Sequence, residues 1–358
     1  VTAFKLLLPI ATAGDPSAFN MDVSTLIQVE RGRGVTYFNV IGDGYVMADI
    51  SERASAPIKA DIMLEFSKPD PDTKKFHGGF DLYVDFEYPE VNLTIKGTSE
   101  QNAFNGDPKS LFIGADFDYE KRGDEDATIS FKMGSPQDPG GINIDLLGIL
   151  QVEGRHYMQA GNNLDLGFME KPALVARLLG EEKTSGEGGE LSTATLSDTN
   201  LPNNIQVAEG QEVSGFNMGL SLEAEVDLDM FLIYAKLGFA VGFDLSVANL
   251  GAGSYCFQPD GTEINPVGAD GWYTTGQIYA GLEGEVGLQI KLIRTRRFAL
   301  FSLGAAVSLQ GGFPKPTWAE GKVGVRYSVL GGLVSGQANL KVSAGTKCIP
   351  PRTDPFGF

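Results

Sequence analysis

A chain of 358 residues with 46 Gly and 22 Phe but only 2 Trp and 2 His can bury a sizeable core. It suits a strand-rich protein with many tight turns better than a helical bundle. The formal net charge of −18 argues against nucleic acid as a partner, because phosphate binding needs a basic stripe. The charge is unevenly placed: Val1 to Ser214 holds 17 Lys+Arg against 34 Asp+Glu, whereas Gly215 to Cys348 holds 10 against 11. Two regions with different surroundings are expected. No run approaches the ~20 apolar residues of a membrane helix. The N-terminal KLLLPIATA, with Lys5 alone before it and Pro9 inside it, fits a signal peptide poorly and suggests a start within a longer chain.

Taken in chain order, the dominant signal is period-2 alternation. Ile58, Ala60, Ile62, Leu64 and Phe66 share one face, as do Phe80, Leu82, Val84, Phe86 and Tyr88, with Lys59, Asp61, Glu65, Asp81, Asp85 and Glu87 opposite. Leu111 to Tyr119 and Ala127 to Met133 repeat the pattern across the loop KRGDED. This reads as an antiparallel meander with one face on a core. A short helix is predicted near 172–179, with Pro172 in its first turn and Gly180 to stop it. The segment from Glu181 to Ser214 has no aromatic residue and a surplus of acid, and reads as a long loop or linker.

Beyond it, Phe216 to Met230 is apolar at every even position, while the odd positions end in Glu223, Glu225, Asp227 and Asp229. The apolar parity then becomes odd from Phe231 to Val247, which predicts a bulge or tight reversal near Asp229 to Leu232. Ile278 to Leu292, Ala299 to Leu309, Ala319 to Val329 and Val334 to Ala344 continue the series. The strands reach well beyond the usual ~5 or 6 residues. Their dense glycines imply strong curvature or close packing. The expected fold is all-β, a large antiparallel meander of long curved strands forming a sandwich, an open curved sheet or a barrel. The expected regions are 1–180, 181–214, 215–349 and a tail, 350–358. The four acids are expected to face solvent or the basic turn Arg294 to Arg297.

Candidate sites are few. In an exported protein Cys256 and Cys348 invite a disulfide. The loops SKPDPDTKK (Asp70, Asp72) and KRGDEDAT (Asp124, Glu125, Asp126) offer oxygens to calcium, but without EF-hand spacing they read first as solvated turns. Trp272, Tyr273 and Trp318 could stack on glycan rings, although PKPTW reads first as a corner that seats Trp318 in a core. His77 and His156 are isolated. No HExxH, GxSxG, Walker or CxxC signature is present, so a non-enzymatic protein is expected.

The stretch GWYTTGQIYAGLEGEVGL from Gly271, the turn LQGGFPKPTW, the run YSVLGGLVSG and the terminal KCIP resemble a block in very large exported proteins of Bacteroidota, of the TANFOR type associated with type IX secretion. The resemblance covers roughly Cys256 to Pro350 and carries no catalytic residues. It implies an exported, surface or outer-membrane-associated setting and partners among other chains or domains of a longer polypeptide. The leading expectation is a structural or interaction module. The alternatives are a lipid-handling or membrane-inserted β protein and a glycan-binding or glycan-cleaving domain. One observation separates the first two: Phe216, Leu220 and Leu228 either pack on a facing sheet or point outward in a band.

Overall fold

The computed structural model describes residues 1–12, 15, 17–84, 86–88, 93–96, 111–181, 205–207, 212–291 and 295–348. Most of the expected linker, Asp85, Arg294 and the tail lie outside these. The fold is an antiparallel all-β meander with one short helix, and its contacts divide it into two units. Unit 1 comprises Val1–Leu147 with Glu153–Asn162, and unit 2 comprises Gly148–Val152 with Asn163–Phe358.

Unit 1 contains β1 (Thr2–Ala11), β2 (Phe19–Glu30), β3 (Gly34–Val46), β4 (Ile58–Ser67), β5 (Thr73–Val84), β6 (Phe86–Tyr88), β7 (Leu93–Lys96), β8 (Leu111–Arg122), β9 (Thr128–Met133), β10 (Gly140–Leu146) and most of β11 (Leu150–Asn162). Its main sheet runs β1–β2–β3–β4–β5–β8–β9–β11, each pair antiparallel. The register aligns the alternating residues into rows. Phe4, Ile27, Phe38, Phe66, Phe76, Tyr119 and Ile129 are successive cross-strand partners, so one apolar row crosses seven strands. Such pairs are the unit of sheet stabilisation.

Unit 2 contains α1 (Ala173–Leu179) and the strands β12 (Ser214–Met230), β13 (Ile233–Asn249), β14 (Cys256–Phe257), β15 (Glu263–Ile264), β16 (Trp272–Lys291), β17 (Thr295–Phe313), β18 (Trp318–Val329) and β19 (Val334–Gly345). The six long strands pair in sequence as β12–β13–β16–β17–β18–β19. The expected reversal is a two-residue hairpin, Phe231–Leu232, with Met230 paired to Ile233. β16 alone has 20 residues.

The glycines on these strands have a packing reason. Tyr279 lies directly opposite Gly242, Tyr234 opposite Gly287 and Tyr327 opposite Gly336, and a Cβ at each of these glycines would run into the tyrosine ring. Each ring covers the backbone that its partner leaves bare, an aromatic rescue of glycine within a curved sheet.

Two small clusters close unit 2. One gathers Leu164, Leu166, Ile205, Val213, Ala248, Leu250, Ile264, Val267 and Tyr273 around the Cys256–Cys348 disulfide. The other is α1. Pro172 precedes its first turn, and Gly180, at φ 71°, ends it in the left-handed conformation that glycine adopts without steric cost. Seven residues are too few for a helix to persist alone in water. Leu174, Val175, Leu178 and Leu179 are therefore held by docking, on Ala240, Tyr279 and Ala306.

Candidate functional site

The face of the unit 2 sheet that carries α1 is here the inner face, and its reverse is the outer face. The inner face carries a set of buried polar side chains on β12, β13, β16 and β17. Asn217, Ser221, Asp244, Ser246, Thr275, Gln277, Gln289 and Ser308 are each at most 5% exposed. Several are engaged with the chain leading into α1: Asn217 Nδ2 donates to the Asp165 carbonyl at 2.8 Å, and Asp244 Oδ1 accepts from the Met169 N–H at 3.1 Å. Gln277 Nε2 donates both to Asp244 Oδ2, at 2.7 Å, and to the Met169 carbonyl, at 3.1 Å.

Small residues let α1 approach closely. A Cβ on Gly281 would lie 2.7 Å from Leu174 Cδ2, one on Gly304 would lie 2.5 Å from Leu178 Cδ2, and one on Gly324 would collide with the Leu178 carbonyl. Arg177 pairs with Glu283 on β16. Glu181, just past the helix, receives Lys171 at 2.9 Å and Lys322 of β18 at 2.6 Å. Gly324→Ala is expected to destabilise unit 2 by about 1–3 kcal/mol, the usual cost of overpacking, and to loosen α1. Denaturant titration together with protease sensitivity at Arg177 checks this. Equal stability and equal protection would show that the helix is not seated there.

Burial alone would raise the Glu181 carboxyl, but the hydrogen bonds and charges of Lys322 and Lys171 outweigh it and hold the pKa below the ordinary 4.5. A carboxyl lowered on folding stabilises the fold above its unfolded value and loses that contribution as the pH falls through its folded value. The docking of α1 should therefore weaken on acidification below about pH 4.5, and Glu181→Gln should flatten that part of the stability profile. An unchanged acid limb in the variant would count against the clamp.

The outer face is the opposite in character. Leu220, Leu222 and Leu228 of β12, Leu237, Phe239 and Leu245 of β13, Ile278, Leu282 and Val286 of β16, and Phe301, Leu303, Val307 and Leu309 of β17 are between 37% and 55% exposed. Val323 and Val325 on β18 and Leu340 and Val342 on β19 continue the belt. Phe216 is half-buried, while Leu220 and Leu228 point outward rather than onto a facing sheet. Followed through the strand registers, the outer positions of the six strands hold, among the described residues, no charged side chain until Arg296. Large aromatics stand at both margins, with Trp272 and Phe313 at one end and Phe231, Phe298 and Tyr327 at the other.

The four acids of β12 divide as their register requires. Asp227 accepts from Arg297 at 2.7 Å, and Lys236 lies 3.3 Å from both Asp227 and Glu225. Arg297 also sits over the Tyr234 ring, 4.8 Å from its centre. The basic turn is thus a neighbour of the acids, through Arg297.

The other predicted residues separate. Cys256 and Cys348 are bonded. Trp318 is 3% exposed, its indole N–H donating to the Tyr273 hydroxyl at 3.0 Å, and Tyr273 in turn donates to the Pro316 carbonyl at 2.9 Å. Of the three candidate glycan aromatics, Trp272 alone is exposed, at 45%. The two calcium-candidate loops are adjacent, since the Gly123 N–H donates to the Asp72 carbonyl at 2.9 Å. Asp70, however, spends its carboxylate on the backbone N–H groups of Asp72 and Thr73. Among the described residues no group of three or more His, Cys, Asp or Glu is disposed to hold a metal, which includes Asp124, Glu125 and Asp126. His77 Nδ1 lies 2.7 Å from Asp118, and His156 stands on β11 apart from it.

Sequence reasoning missed one feature of unit 1. Asp22, Asp43, Asp61 and Asp81 are directly opposite one another across β2 to β5. Like charges in such a row are unfavourable unless neutralised. Arg53 bonds Asp22 and lies over the Tyr45 ring, and the Tyr83 hydroxyl donates to Asp81 at 3.2 Å. The row needs the register to be seen, because its members are about 20 residues apart in sequence. No protein-family model, curated protein or solved structure matches this chain.

Proposed function

We propose that this chain is a membrane-inserted β protein without catalytic activity, its outer face in lipid and its polar inner face carrying α1. A single observation supports the reading: in unit 2 the apolar side of a six-stranded sheet is exposed and, among the described residues, free of charge up to its margin, while polar side chains on the reverse of β12, β13, β16 and β17 are buried. In water this would be costly. Exposing about half of a Leu or Phe side chain forgoes about 1 kcal/mol, so a dozen forgo on the order of 10 kcal/mol, comparable with the net stability of a whole domain. Contiguous apolar surface above a few hundred Å² marks an interaction or membrane surface.

The dimensions agree. From Phe298 to Phe313 the strand covers about 50 Å, or about 35 Å of height at a ~45° tilt, which spans an apolar band of ~25 Å with both aromatic margins. The disulfide and the resemblance to exported Bacteroidota proteins support an outer-membrane setting. The apolar belt supports the membrane alternative over a free-standing scaffold, which would need another protein layer over the same face.

The test is reconstitution of the purified chain with neutral phosphatidylcholine vesicles carrying brominated acyl chains. The protein should float with the vesicles and resist alkaline extraction. In single-tryptophan variants Trp272 should be quenched and Trp318 should not. A chain that stays in the aqueous fraction, or equal quenching of both tryptophans, would overturn the reading.

A further inference from the structure

The hairpin end of the unit 2 sheet, where β12 turns into β13, β16 into β17 and β18 into β19, differs from an ordinary water-facing edge. Two-residue hairpins usually place Gly, Asn or Asp where φ is positive. Here Phe231 (φ 32°) occupies such a position, 80% exposed, beside Leu232 at 57%. In the four-residue β18–β19 turn Leu330 (φ 52°) precedes Gly331 and Gly332, both also at positive φ, and Leu333 is 79% exposed. Phe231 and Leu330 thus adopt a conformation that disfavours them, and the tips present exposed apolar side chains at this end.

Arg296 stands beside them. Its cross-strand partner Ile290 faces outward, whereas the next pair, Arg297 with Gln289, faces inward, with Gln289 fully buried and Arg297 bound to Asp227. Arg296 is thus an exposed outer-face guanidinium directly past Phe298 and Leu288. Among the described side chains it is the only charge on the outer face of the six strands.

The geometry points to anionic phospholipid as the partner of this margin: the tips Phe231, Leu232 and Leu333 sit in the interfacial layer, and Arg296 takes a headgroup phosphate. This rests on the membrane reading and goes beyond it by naming the lipid class and the end of the sheet that meets it. A guanidinium suits the role, since its fork of donors matches phosphate oxygens and its stem can lie along the apolar belt while the charge reaches outward.

The experiment compares partition of the full chain into vesicles of pure phosphatidylcholine and vesicles containing about one third phosphatidylglycerol. The ratio of partition into anionic over neutral vesicles should be about fivefold higher for wild type than for Arg296→Gln, the increment one well-placed basic residue provides. Arg296→Gln should lose that increment while still entering neutral vesicles, and Arg296→Lys should keep most of it. Phe231→Ser with Leu333→Ser should lower partition into both compositions. Equal partition of wild type and Arg296→Gln into both vesicle types would overturn the inference and leave the membrane reading intact. Failure of wild type to enter either would overturn both.

Discussion

Leu282→Arg combined with Val307→Arg is expected to abolish stable insertion into a bilayer while leaving the chain no worse, or better, in water. Both residues are about half exposed, at 52% and 48%, and neither is in a buried cluster. On an aqueous surface such substitutions change stability by about 0.5 kcal/mol or less. In the apolar band of a lipid-facing sheet each arginine costs about 2–4 kcal/mol near the midplane, so the pair costs about 4–8 kcal/mol. The sign of the effect therefore reports the medium. Refolding into phosphatidylcholine vesicles, followed by denaturant titration, separates the outcomes. Wild-type-like insertion of the double variant would mean that this face meets water or another protein. Asp244→Asn makes a useful contrast, because it perturbs the inner face and its hydrogen bonds to Met169 and Gln277 without placing charge on the belt.

Much of the fold is legible in the sequence because period 2 is the geometry of a strand. The alternation of Phe216 to Met230, the parity change at Phe231 and the Pro172 and Gly180 boundaries of α1 all correspond to described elements. What alternation does not contain is which face meets which medium. A signal was nevertheless present. The polar positions of the long strands are rich in Asn, Ser, Thr, Gln and Gly, as at Asn217, Ser221, Gln277 and Ser308, whereas a water-facing sheet surface carries more Lys and Glu. The apolar positions, in turn, carry no charge from Leu220 to Leu228 or from Ile233 to Val247.

Glycine was legible as a need for close approach but not as a need for α1. Gly281, Gly304 and Gly324 are scattered over about 45 residues of sequence, and only the register of β16, β17 and β18 assembles them into one seat. The aspartate row of unit 1 is hidden for the same reason. Propensity and periodicity are local, whereas a row across strands depends on every hairpin length between its members.

Removing the disulfide through Cys256→Ser with Cys348→Ser is expected to lower the stability of unit 2 by about 4–5 kcal/mol, given that the bond closes a span of 92 residues and that chain-entropy stabilisation grows with loop length. The structure gives the loss a location. β19 is exposed at nearly every residue on both faces, so it is held by its pairing with β18 and by what fastens its ends. Its far end runs through Lys347, over the Trp318 ring at 4.1 Å, to Cys348, buried in the cluster around Tyr273 and Val267. Opening the bond releases that end from the loop carrying β14, so the damage should begin at β19 and spread to β18. Hydrogen exchange should accelerate in Val334–Gly345 before it does in Ile233–Asn249, and denaturation should begin earlier in the variant than in the oxidised wild type. Lys347→Ala, which leaves the bond in place, should reproduce only a small part of the effect. Uniform loss of protection across the six strands would contradict this order. It would mean that the cluster around the disulfide supports the whole sheet rather than its last strand.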